Sequence, residues 1–141
     1  MEKIKVIENI IGQSQQDKLE SLVGDQYFPL YLRLSTVDGG DKNEQYYWAD
    51  KSTQEGINFS HAFLKDNNEI SPYFDLVEPI LTNFLLTSGL NLAPRRVRLN
   101  LIQSTAGYTK GNHYTPHVDT DYEGGYTAIY YVNDSDGDTL F

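Results

Sequence analysis

Two residues in this chain have types and a spacing that could hold a metal ion. They are the imidazole of His117 and the carboxylate of Asp119, in His117-Val118-Asp119. Residues two apart on an extended strand project to the same side, so both groups can converge on one ion. A neutral imidazole together with a carboxylate suits iron(II), and a full set of two histidines and one carboxylate on one face leaves three positions open. Only His61 and His113 remain as further imidazoles, and both precede the pair. His113 stands an even number of residues before His117 and would share its face if 113–117 were extended, although Pro116 lies between them. The bland reading of His61 and His113 is a surface or hydrogen-bonded histidine. A zinc site built from His113, His117 and Asp119 is a further option by ligand type, without an obvious general base at motif spacing.

These residues need a scaffold, and the pattern of the chain suggests one. Residues 4–11, Ile-Lys-Val-Ile-Glu-Asn-Ile-Ile, mix β-branched residues with rough alternation and predict a strand. Residues 16–23 predict a short helix ended by Gly24, and 27–34 a strand in which Pro29 fits only at an edge or at the start. Residues 38–58 are rich in Gly, Asp, Asn and Gln and read as an irregular loop with a short aromatic segment, Tyr46-Tyr47-Trp48. After Ser71-Pro72, the residues Val77, Ile80, Leu81, Phe84 and Leu85 recur at helical spacing. The expected helix covers about 75–88, with Asp75 and Glu78 as a capping box, Pro79 near the first turn and Gly89 as the stop. Past Pro94 the period becomes two: Val97, Leu99 and Leu101 alternate with Arg96, Arg98 and Asn100, predicting a strand with one buried face. Six of the eleven tyrosines fall from Tyr108 onward, and 126–132 predicts another strand in which Tyr130 and Tyr131 face opposite ways. Gly124-Gly125 reads as a loop, and 133–138 as a hairpin turn rather than a calcium loop, because its glycine is misplaced and no bidentate Glu follows.

Length and composition limit the alternatives. The chain has 141 residues, enough for one core. Its 39% hydrophobic and 22% charged residues suit a folded globule. A net charge of −9 argues against a nucleic-acid partner. The single basic cluster, Arg95-Arg96-Val97-Arg98, reads as a solvated strand edge, with an anion clamp as the alternative. Cysteine is absent, which removes disulfides and thiolate ligands. No apolar stretch reaches membrane-spanning length and the N-terminus has no long apolar region, so a cytoplasmic protein without a membrane partner is expected.

The surroundings of the H-x-D pair carry a resemblance. Residues 108–119 have the form Y-x-x-G-x-x-Y-x-P-H-x-D, the segment 126–132 leads into Asn133-Asp134, and Gly137 to Phe141 follow a G-x-T-x-F pattern. Together these resemble the prolyl 4-hydroxylase-like branch of the iron(II)/2-oxoglutarate-dependent oxygenases. The likeness is firm over 108–141, looser over the preceding helix and strand, and gives no help in the first 60 residues. It implies that His117 and Asp119 are the first two metal ligands. It also implies that Tyr108 contacts 2-oxoglutarate and that Thr139 lines the same pocket. The implied fold is mostly β (α+β), a partial double-stranded β-helix or jelly-roll with the helix at about 75–88 packed against it. The implied division is N-terminal strands, short helix and loop over 1–60, helical support over 61–94, and the first jelly-roll strands over 95–141. The implied cofactors are iron(II), 2-oxoglutarate as co-substrate and ascorbate as reductant, and the substrate is a peptide prolyl residue or a small molecule. The family also requires a second histidine after the H-x-D and a Lys or Arg for the distal carboxylate of 2-oxoglutarate. No histidine follows His117 here, and the last basic residue is Lys110. With the apolar ending Thr139-Leu140-Phe141, this leads us to expect an incomplete domain whose exposed strand edges are covered in a homo-oligomer. A non-catalytic jelly-roll that binds a partner or self-associates is the rival expectation.

Overall fold

A computed structural model describes residues 4–33, 53–54, 58–102, 113–114 and 124–134. Among these, the chain is an α+β mixture of two helices, a four-stranded sheet and a two-stranded pair. Helix α1 spans Gln13–Val23. Short strands β1 (Tyr31–Arg33) and β2 (Thr53–Gln54) precede the long strand β3 (Asn58–Lys65) and its partner β4 (Asn68–Glu69). A single 3₁₀ turn at Phe74–Leu76 leads into helix α2 (Glu78–Ser88). Strands β5 (Arg96–Leu101) and β6 (His113–Tyr114) follow.

Strand β3 organises the four-stranded sheet. It pairs antiparallel with β1, Tyr31 opposite Ser60 and Arg33 opposite Asn58, and antiparallel with β4, Leu64 opposite Glu69; β5 pairs with it as well. Asp66 and Asn67 close the β3–β4 hairpin with φ of 48° and 66°. Positive φ at both central residues defines a type I′ turn, and Asp and Asn are the side chains that tolerate it. The Asn68 Nδ2 donates to the Asp66 carbonyl at 2.9 Å and holds the turn. No strand is expected over 58–65: residue 58 ends the expected loop, and the expected helical support begins at 61. The reason is its mixed composition, Asn-Phe-Ser-His-Ala-Phe-Leu-Lys. Asn58, Ser60, His61, Phe63 and Leu64 are all buried, so both faces are covered and the polar residues among them hide the strand from any alternation.

Contacts divide the chain into two compact units, Met1–Pro29 with Ala62–Arg98 and Tyr130–Phe141, and Leu30–His61 with Leu99–Ile129. The first holds every buried apolar side chain among the described residues: Ile11, Leu19, Phe28, Phe63, Leu64, Phe74 and Val77. Phe63 is 2% exposed, its ring 6.4 Å from that of Phe28, and Phe28 in turn lies 5.3 Å from Tyr73. Tilted aromatic pairs at these separations are favourable beyond their burial alone. In the second unit the buried side chains are polar: Asn58, Ser60 and His61.

Both helices follow their sequence signals, with shifted starts. α1 begins at Gln13, three residues before the expected Gln16, and ends at Gly24, whose N–H bonds the Glu20 carbonyl at 3.0 Å. Gln16, Leu19, Leu22 and Val23 form its shielded side, the spacing of one helical face. α2 ends at Gly89, which adopts φ 69°, the left-handed stop that glycine takes without a Cβ clash. The expected Asp75–Glu78 capping box does not form. Ser71 starts a 3₁₀ turn instead, accepting from the Tyr73 N–H on Oγ and from the Phe74 N–H on its carbonyl, and the helix proper starts after Val77 with Pro79 in its first turn. Of the apolar α2 stripe, Val77 just before it is buried and Ile80, Leu81, Phe84 and Leu85 are half-buried.

Three expected strand features are corrected. Residues 4–10 join no helix or strand, because Asn9 takes φ 54° and breaks the extended run; the Ile10 carbonyl is instead anchored by Asn83 Nδ2 at 2.8 Å. β5 occupies its expected place, but its burial does not alternate: Val97, Arg98 and Leu99 are all half-buried while Leu101 is exposed. Residues 126–132 join no strand ladder, although Tyr130 and Val132 are half-buried and Tyr131 exposed, as alternation predicts. Pro29 falls just before β1, the position a proline tolerates, and Gly124 takes φ 76° in the expected loop. The aromatic segment 46–48 and residues 135–138 of the expected hairpin lie outside the described residues. Among the described residues no helix is long and apolar enough to cross a membrane.

Candidate functional site

The residues singled out for chemistry fall into two groups. His117, Asp119, Tyr108 and Thr139 lie outside the described residues, so their geometry is carried by the sequence pattern alone. His61 and His113, the other two histidines, are placed. His113 opens β6, which runs parallel to β2 with Thr53 opposite His113 and Gln54 opposite Tyr114. Its backbone is therefore extended, four residues before His117. His61 sits in the middle of β3, 5% exposed, with its ring 6.3 Å from the Tyr31 ring and 25° from parallel. His61 is therefore buried against Tyr31 rather than on the surface. Among the described residues no three His, Asp or Glu side chains form a group that could hold a metal ion.

Asn58 opens β3 three residues before His61; it is 6% exposed and its Oδ1 accepts no hydrogen bond. A buried acceptor without a donor costs about 1–3 kcal/mol. In the basic cluster Arg95 stays exposed: its Nε lies 3.7 Å from Asp66 Oδ1, and its carbonyl accepts from the Asn67 N–H at 3.3 Å. An ion pair this exposed adds little stability.

One polar contact was not foreseen. The Tyr130 hydroxyl donates to Gln16 Oε1 at 3.2 Å, and Gln16 Nε2 donates to the Val132 carbonyl at 3.4 Å. Nothing local in the sequence signals a pairing between residues 114 apart. Burial pushes the Tyr130 phenol above its ordinary value. Because the folded-state value is raised, the stabilisation is fully present below the ordinary tyrosine value, near pH 10, and is lost as pH rises through the higher folded value. Urea unfolding is therefore expected to show a steeper loss of stability between about pH 9 and 11 in the native sequence than in Tyr130→Phe. Equal slopes would remove Tyr130 as the cause.

No family model, no curated protein and no solved structure matches this chain. The α+β fold and the residues themselves are thus the whole basis for a functional reading.

Proposed function

We propose that this chain carries two of the three protein ligands of an iron(II)/2-oxoglutarate-dependent oxygenase site, His117 and Asp119, within a jelly-roll of the prolyl 4-hydroxylase-like type. The observation that carries the reading is the run Tyr108-x-x-Gly111-x-x-Tyr114-x-Pro116-His117-x-Asp119. The extended backbone of His113–Tyr114 inside that run supports it, since a strand entering the motif would set His117 and Asp119 on one face.

The donor set fits the ion in kind: one neutral imidazole and one carboxylate, borderline and hard donors that iron(II) accepts. It falls one protein ligand short of the family's three. When bound, iron(II) and 2-oxoglutarate supply an oxidative hydroxylation of an unactivated C–H bond. The chain's own residues have simpler tasks. His117 must remain unprotonated to donate, Asp119 contributes the negative charge that holds a dication, and the Tyr108 hydroxyl orients the keto acid. Thr139 lines the pocket where that acid lies. The substrate class is a peptide prolyl residue or a small molecule.

Calorimetric titration of manganese(II), and of iron(II) under anaerobic conditions, tests this with and without 2-oxoglutarate. We expect micromolar binding, about 8 kcal/mol, that needs both 2-oxoglutarate and the His117 imidazole, so that His117→Ala abolishes it. Binding that survives His117→Ala, or no binding at all, would overturn the reading. It would leave a non-catalytic domain that binds a partner or a second copy.

A further inference from the structure

We draw no further inference here: the strongest candidate, the buried polar cluster of Asn58, Ser60 and His61 on strand β3, offers one acceptor without a hydrogen bond, Asn58 Oδ1, and nothing in the structure shows what donor would reach it.

Discussion

Phe63→Ala is expected to destabilise the protein by about 3–5 kcal/mol, the range for removing a fully buried phenylalanine ring. Phe63 is the largest side chain among the described residues that is essentially sealed from solvent. Its ring packs 6.4 Å from that of Phe28, so truncation also deprives Phe28 of an aromatic neighbour while leaving its contact with Tyr73 at 5.3 Å. The backbone around it is constrained: the Phe63 carbonyl accepts from the Ile70 N–H at 3.0 Å, and Leu64 pairs with Glu69 across the hairpin. A strand held on this side cannot collapse easily into the void, which places the cost toward the upper part of the range. Chemical denaturation with a constant m-value would measure it. A loss under 1 kcal/mol would mean that Phe63 does not anchor the apolar cluster.

The same residue shows what could be read in advance and what could not. Gly24 and Gly89 were legible as helix stops because the physics is local: a glycine past the last apolar turn ends a helix with little help from the rest of the chain. The α2 stripe is legible for the same reason, since its periodicity lies within one element, whereas β5 falls where expected but without the one-sided burial that its alternation predicts. β3 was not legible. Two of its three partners, β1 and β5, lie tens of positions away along the chain, so no local window shows the sheet that encloses it. Residues 4–11 failed in the opposite direction. Ile4, Val6 and Ile7 have strand propensity, but Asn9 in the left-handed region ends the extension, and propensity without a partner strand is weak.

The segment 126–132 lies between these cases. Only its last three residues show the expected alternation, Tyr130 and Val132 half-buried and Tyr131 exposed, while 126–129 are all exposed and no strand forms there. For the candidate site, the spacing of His117 and Asp119 is the whole of the local signal. A third ligand would have to come from elsewhere, and the packing of His61 against Tyr31 ties one of the two remaining histidines into the fold.

Charge, more than ligand count, should decide whether the H-x-D pair holds a metal, and Asp119→Asn isolates it. The substitution keeps the size and one carbonyl oxygen of the side chain but removes the negative charge. A hard, dicationic centre with only one anionic protein ligand depends on that carboxylate for charge neutralisation. On the proposed reading, manganese(II) binding in the presence of 2-oxoglutarate weakens by on the order of 100-fold, about 2.7 kcal/mol. The keto acid brings its own negative charge to the metal, so it offsets part of the loss and leaves a residual binding to measure. His117→Ala, which abolishes binding, sets the floor against which this partial loss is read. Calorimetry of both variants in the presence of 2-oxoglutarate makes the comparison. If Asp119→Asn binds as tightly as the native chain, the carboxylate is not a ligand and the pair is an accident of spacing.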